Sequence, residues 1–173
     1  MQTDVLLRDL NVGGIRVTDN RRIEVIANGL AAYHGEQLAI DATIVSPIRA
    51  NGHPISRADR EEGIALAAAL RRKARAYPEL LRQGRCQMLV AAVEVGGRWH
   101  EEAYGFLVRM AKDKARAAPA ALRTSLTNAW IRRWSGMIAF AVHDALAASL
   151  VEESPKDTVA TDGAPPLLGQ VVA

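Results

Sequence analysis

Asp41 is the residue whose setting most clearly indicates chemistry, because it is the only charge in the apolar segment 37–48. Its neighbours Leu38, Ile40 and Ile44 are typical of a buried β-strand. Burying an unpaired carboxylate is expensive, so such an aspartate normally meets a metal ion, a lysine or arginine, or several hydrogen-bond donors. The sequence therefore predicts a polar partner for Asp41.

Lys73 is the first candidate partner. It lies in a helix predicted over 57–77, in which the pattern Ser56–x–x–Asp59 resembles a capping box. On a wheel of about 100° per residue, Lys73 shares a stripe with three other side chains: Leu66, Leu70 and Tyr77. Three arginines point elsewhere: Arg71, Arg72 and Arg75. Lys73 then either reaches inward to a carboxylate or buries its stem and extends its ammonium group to water.

Two glutamates are candidates for a second carboxylate. Glu24 lies in a strand predicted over 21–28, where it can face the same way as Asp41 or stand solvated beside Arg22. Glu94 is the only charge in 86–97 and lies near the end of another predicted strand, where it ligates a metal or reaches water. Two carboxylates can hold Mg²⁺ through oxygen ligands, and a metal with a lysine can activate water and stabilise charge on a phosphate. Spacing alone makes this chemistry only one possibility.

The predicted strands and helices that carry these residues indicate an α/β fold. The order is strand, strand, helix, strand, helix, helix, and the predicted ranges are 21–28, 37–45, 57–77, 85–95, 99–117 and 120–152. We expect residues 1–12 to form a short helix or strand, and we expect from their abrupt start that the chain is a fragment. A hairpin followed by a parallel crossover strand gives a small mixed β-sheet flanked by helices. We expect an α/β core over 1–118, a helical extension packed on it over 119–153, and a disordered tail over 154–173.

The composition argues against a disulfide-bonded protein, a cysteine-based zinc protein and a membrane-spanning protein. The single cysteine, Cys86, excludes an intrachain disulfide and a cysteine-based zinc site, so an intracellular, reducing compartment fits. No run of 18 apolar residues is present, so we expect no membrane span. The net charge of +3 permits a nucleic-acid partner without requiring one.

Four segments together resemble a known family. They are RRIEV, AIDATIVSP, RRKARAYPEL and VEVGGRW, within about residues 20–110, and they look like the restriction-like endonuclease domain of site-specific non-LTR retrotransposons, of the PD-(D/E)XK nuclease class. On this resemblance the Pro-Asp pair of the family falls on Ile23 and Glu24, the central aspartate on Asp41, and the lysine on Lys73. The tyrosine and the strand exit fall on Tyr77, Gly96, Gly97 and Trp99. The chain departs from the pattern at Ile23 and Glu24, and the 16 residues between Glu24 and Asp41 are slightly more than usual.

The resemblance implies a restriction-endonuclease-like fold and an endonuclease, attached to an upstream reverse transcriptase, that nicks target DNA to prime reverse transcription. Glu24 and Asp41 would hold Mg²⁺ or Mn²⁺, and Lys73 would orient or activate the water. The nucleic-acid-binding residues would be exposed arginines of the third segment and its continuation: Arg71, Arg72, Arg75, Arg82 and Arg85. The partners would be DNA, or RNA of the parent element, and an active protein would be nuclear.

Two other interpretations remain open. One is a nuclease fold without catalysis that binds nucleic acid or is a structural remnant of a retroelement reading frame. The other is a helical interaction module in 120–152, whose large apolar residues are Leu122, Leu126, Trp130, Trp134, Met137, Phe140 and Leu146. Stripes of this kind more often belong to a core than to a partner surface, so we expect these side chains to be buried.

Overall fold

The computed structural model describes residues 1–10, 12–82 and 86–152 of the 173-residue chain. Four strands form one sheet in the order β1-β2-β3-β4, where β1 is Gln2–Leu6, β2 is Arg22–Ala27, β3 is Gln37–Val45 and β4 is Cys86–Glu94. β1 and β2 are antiparallel, β2 and β3 are antiparallel, and β3 and β4 are parallel. The predicted mixed sheet, with a hairpin and a parallel crossover strand, is therefore confirmed.

Helices cover both faces of this sheet. On one face lie α1 (Ile64–Ala76) and the short α2 (Pro78–Arg82), and on the other lies α3 (Glu101–Ala115), with α4 (Arg123–Glu152) against it. The α1 side packs Leu66 and Leu70 on Val90 and Ala92 of β4. The opposite side packs Leu38, Leu89 and Phe106 together. Cys86 is buried within a third cluster, as a small apolar residue would be.

The start of α1 differs from the prediction. The helix begins at Ile64 rather than near residue 57, and its N-cap is Gly63 rather than Ser56 with Asp59 in a capping box. Arg57 has φ 70° and Gly63 has φ 68°, both in the left-handed region, which a right-handed helix cannot include. The acidic residues of 57–62 therefore precede the helix and do not occupy its first turn.

The two ends of the described chain also add to the prediction. The N-terminal segment is a strand, β1, followed by a short 3-10 helix over Leu7–Asp9, so the sheet has four strands rather than three. At the other end α4 has 30 residues and follows a 3-10 turn over Ala120–Leu122. The predicted tail over 154–173 lies outside the described residues. Among the described residues, no helix combines the length and apolar character needed to cross a bilayer.

Candidate functional site

The structure brings Asp41 and Lys73 into contact. Asp41 lies in the middle of β3, opposite Val90 of β4, and is only 2% exposed. Lys73 lies in the last turn of α1, and its Nζ is 2.8 Å from Asp41 Oδ2. The lysine side chain is 22% exposed, so its ammonium group reaches inward rather than into water. Of the two interpretations open from the sequence, the inward one describes the geometry.

This contact leaves part of the aspartate unsatisfied. Lys73 Nζ is close enough to Oδ2 for an ion pair, but Oδ2 accepts no hydrogen bond from any described residue although the atom is fully buried. The short distance therefore represents charge attraction without hydrogen-bond alignment. A buried carboxylate oxygen with unused lone pairs is unusual, and it can accept a metal ion or a further donor.

Glu24 lies on β2, across the β2–β3 hairpin from Asp41. The antiparallel register pairs Val25 with Ile40 and Ile26 with Ala39, and its continuation places Glu24 opposite Asp41, on the same face of the sheet. The ladder ends at Val25, and beyond it Glu24 Oε2 accepts a hydrogen bond of 2.9 Å from the Ala42 amide. The Glu24 side chain thus takes the place of a backbone hydrogen bond between the two strands, at the point where β2 diverges from β3. The site therefore lies within the sheet, at the point where β2 and β3 diverge.

Tyr77 closes the site on the side of α1. Its hydroxyl donates a 2.9 Å hydrogen bond to the carbonyl of Arg22, and the ring is 9% exposed. Burial raises the pKa of Tyr77, the charge of Asp41 raises it further, and the charge of Lys73 opposes this shift. Glu24 acts on the same pKa, so all three predicted site residues lie within electrostatic range of the Tyr77 phenol.

Arg21 fixes the end of α1 that carries Lys73. Its guanidinium donates to the carbonyl of Ala76 and pairs with Asp19 at 2.5 Å and with Glu79 at 3.0 Å. The hydrogen bonds from Arg21 lower the pKa of both carboxyls. This positioning role of Arg21 was not predicted from the sequence. The available signal was a charge at the first position of a predicted strand, which is common and does not distinguish such a residue.

Glu24 and Asp41 are the type of ligand that binds a divalent ion, but they are only two in number. Carboxylate oxygens are the ligands that Mg²⁺ prefers, and Mg²⁺ usually takes only one or two of them, with water and substrate oxygens completing the shell. Glu24 and Asp41 supply that number, and an ion at Asp41 Oδ2 would share that oxygen with Lys73 Nζ, which lies 2.8 Å from it. Within the described residues there is no group of three or more histidine, cysteine, aspartate or glutamate side chains arranged for a metal.

Glu94 does not join the site. It lies four residues beyond Val90 on β4, which is about 13 Å along the strand from the level of Asp41. Its carboxylate is 3.7 Å from the guanidinium of Arg98. The metal-ligand interpretation of Glu94 has no support in this geometry, and its ion pair corresponds to the structural interpretation.

The predicted nucleic-acid-binding arginines surround α1 but do not share the face of Lys73. Arg71, Arg72 and Arg75 are exposed and make no ion pair with any described residue. Arg71 and Arg75 lie about 160° from Lys73 around the helix. They form an outward cationic pair separate from the Asp41 site. The side chain of Arg82, and all of Arg85, lie outside the described structure.

The remaining positions of the resemblance have structural roles. Ile23, at the Pro position, is fully buried. Gly97 has φ 85° in the turn that follows β4, and Trp99 forms a bridge with Val93. Trp99 also lines an apolar cavity of about 280 Å³ on the face of the sheet opposite Asp41. Gly97 and Trp99 shape the exit of β4 and do not reach the site.

Comparison of the chain with protein families, with characterised proteins and with solved structures found no match.

Proposed function

We propose that this chain is a metal-dependent phosphodiesterase that cuts DNA. Asp41 and Glu24 would hold the divalent ion, and Lys73 would orient the attacking water. The observation that carries the proposal is the approach of Lys73 to the buried, otherwise unsatisfied Asp41 Oδ2 at 2.8 Å, level with Glu24 across the hairpin. Two carboxylates beside a lysine are the groups that phosphodiester hydrolysis uses.

Each side chain has a distinct task in this proposal. The bound ion, Mg²⁺ or Mn²⁺, would supply a water of lowered pKa and neutralise charge on the phosphate. Asp41 provides a fixed carboxylate, because β3 pairs with β4 along its whole length and with β2 up to Ile40. Lys73 holds a positive charge beside that carboxylate, where it can stabilise negative charge that develops on a phosphoryl oxygen. Glu24 is more exposed and would turn from the Ala42 amide towards the ion.

A narrower assignment rests on the sequence resemblance alone. It is the restriction-like endonuclease domain of a non-LTR retrotransposon, which follows a reverse transcriptase and nicks target DNA to prime reverse transcription. The mixed sheet and the lysine on a helix rather than two residues after Asp41 are compatible with that class. Within this assignment the substrate is duplex DNA, and the intact polyprotein supplies the polymerase.

A second function is favoured by a different observation. Asp41 already forms an ion pair with Lys73, and Glu24 already accepts a backbone hydrogen bond, so both carboxylates have partners without a metal. This arrangement also suits a nuclease fold that binds nucleic acid through its exposed arginines and performs no catalysis. The two functions differ in whether a metal reaches Asp41.

Cleavage of supercoiled plasmid tests the proposal. The purified chain should nick plasmid in Mg²⁺ or Mn²⁺ and not in a chelator, and the variants Glu24→Gln, Asp41→Asn and Lys73→Ala should each lose this activity. If the unaltered chain leaves the plasmid intact with both metals, the second function replaces the first. Nicking that persists in Asp41→Asn would show that the cleavage comes from a contaminant.

A further inference from the structure

Helix α4 carries a row of side chains, most of which point away from the rest of the protein. The inner side of α4 contributes Ile138, Ala141 and Val142 to the apolar cavity against the sheet and α3. A second row runs about 130° around the helix. Its members are Leu126, Trp130, Arg133, Met137, Phe140, Asp144, Ala147 and Val151, and we call it the α4 seam.

The α4 seam is largely exposed, contrary to the expectation that the large apolar side chains of this segment are buried. Met137 is 60% exposed, and Phe140 and Val151 are each 75% exposed. Only the N-terminal part is half-buried, where Trp130 contacts Trp134 and the ammonium group of Lys114. Large apolar side chains concentrated along one exposed line are typical of an interaction surface.

The spacing of the seam is that of a coiled coil. Successive members are separated alternately by four and three residues over the whole run from Leu126 to Val151. This is the heptad repeat, in which such positions form the contact between two helices. Over these residues the seam is about 38 Å long. It is therefore long enough to pair with another helix of similar length.

Two charges in the seam identify the partner. Arg133 and Asp144 make no ion pair with any described residue, and the Arg133 guanidinium lies over the Trp130 ring at 5.8 Å. In an antiparallel pair of identical helices centred between Ile138 and Ala139, Arg133 of each copy lies opposite Asp144 of the other. The same alignment pairs Met137 with Phe140, Trp130 with Ala147, and Leu126 with Val151. A parallel pair would instead place like charges opposite each other, which is unfavourable.

We infer that the α4 seam is covered by the α4 helix of a second copy of this chain, in an antiparallel, two-fold symmetric coiled coil. The self-complementarity is a property of the seam itself, since one alignment matches every apolar residue with an apolar residue and both charges with opposite charges. A two-fold interface requires this reciprocity between positions. The inference does not depend on the proposed catalysis.

Light scattering coupled to gel filtration tests the inference. At tens of micromolar, the full chain should have twice the 18.7 kDa mass of one copy. The double variant Met137→Glu with Phe140→Glu should be a monomer with unchanged helical circular dichroism. Ala139→Glu, an exposed change on α4 outside the seam, should remain a dimer. A monomeric wild-type chain, or a dimer unaffected by the double variant, would overturn the inference.

Charge reversal tests the antiparallel alignment. Arg133→Glu or Asp144→Arg alone should weaken dimerisation about tenfold or more, because each places like charges opposite each other. The two single variants mixed together, and the double reversal in one chain, should regain the wild-type affinity. Single reversals that leave the affinity unchanged would contradict the alignment.

Cross-linking gives an independent measure of the same alignment. A chain with both Leu126→Cys and Val151→Cys should form intermolecular disulfides on oxidation, whereas Leu126→Cys alone should not. The native Cys86 is buried and does not compete. Efficient cross-linking of the single variant would indicate a parallel pair and overturn the proposal.

Discussion

Lys73 Nζ lies 2.8 Å from Asp41 Oδ2, although the two residues belong to different layers of the fold. The contact is possible because Asp41 points to the α1 face of the sheet, while the last turn of α1 directs Lys73 back towards it. Arg21, bonded to the carbonyl of Ala76, fixes that last turn. Asp41 thus has the partner that a buried carboxylate requires. The position of Lys73 is compatible with a structural ion pair and with a catalytic role.

Removal of the lysine should destabilise the protein more than removal of the aspartate charge. Lys73→Met leaves a carboxylate that is 2% exposed without its counter-charge, and we expect a loss of about 3 kcal/mol in the free energy of unfolding. Asp41→Asn should cost less, about 1 kcal/mol, because Lys73 is partly exposed and can turn to water.

Urea unfolding of both single variants and the double variant measures this coupling. The double variant should lose less stability than the two single losses added together, by about 1 kcal/mol or more. Lys112→Met, at an exposed lysine of α3 that forms no ion pair with a described residue, should change stability by less than about 0.5 kcal/mol. Additive losses would show that the Asp41–Lys73 contact contributes nothing to folding.

The Arg21 cluster should make stability depend on pH in the acid range. Arg21 lowers the pKa of Asp19 and of Glu79 in the folded protein. The stabilisation is therefore fully present above their unfolded pKa values of about 4, and it is lost as the pH falls through the lower folded values. Arg21→Met should flatten the fall in unfolding free energy between about pH 5 and pH 2.

Urea titrations at a series of pH values measure that fall. Arg16→Met is a suitable control, because Arg16 is exposed, lies in the same segment and makes no ion pair with a described residue. It should keep the wild-type profile. An Arg21→Met protein with the wild-type slope would show that these ion pairs are screened by solvent.

The exposed arginines of α1 should contribute to DNA affinity through phosphate contacts. If Arg71 and Arg75 each neutralise one phosphate, replacing both with glutamine should reduce the slope of log affinity against log salt by about 2. The loss should be similar for unrelated duplex sequences, because phosphate contacts carry no sequence information. Fluorescence anisotropy with short duplexes over a range of salt measures both quantities, with Arg132→Gln on α4 as the control. An unchanged slope would place the DNA-binding surface elsewhere.

The sequence predicted the elements with strong local patterns. The bounds of β3 agree with the predicted strand, since a run of β-branched residues around one charge has few alternatives. Helical periodicity placed Lys73 on the stripe of Leu66, Leu70 and Tyr77, but it left open whether the ammonium group reaches a carboxylate or water, and the contact with Asp41 decides this. The predicted start of α1 was wrong, because the acidic residues after Ser56 resemble a capping box. In the structure the left-handed backbone of Arg57 and Gly63 prevents a helix from including these residues. A capping pattern in the sequence does not reveal which residues will adopt a left-handed backbone conformation.

The exposure of α4 could not be derived from its composition. Met137 and Phe140 have the spacing of buried side chains, and whether they face a core or another chain depends on how α3 lies against α4. Likewise, the hairpin left open whether Glu24 faces the same way as Asp41 or stands solvated beside Arg22, and it did not predict the hydrogen bond that the Glu24 carboxylate accepts from the Ala42 amide. That contact arises from the divergence of β2 and β3, which has no local sequence signal.

Binding of Mn²⁺ measured by calorimetry tests the central claim most directly, because it reports on the metal site without requiring turnover. The wild-type chain should bind one ion, and Asp41→Asn and Glu24→Gln should each weaken binding by about tenfold or more, since loss of a direct ligand costs at least as much as loss of a supporting residue. Glu94→Gln, which removes a carboxylate remote from the site, should bind Mn²⁺ as the wild type does. A wild-type chain that binds no Mn²⁺, or that binds it equally after Asp41→Asn, would contradict the account.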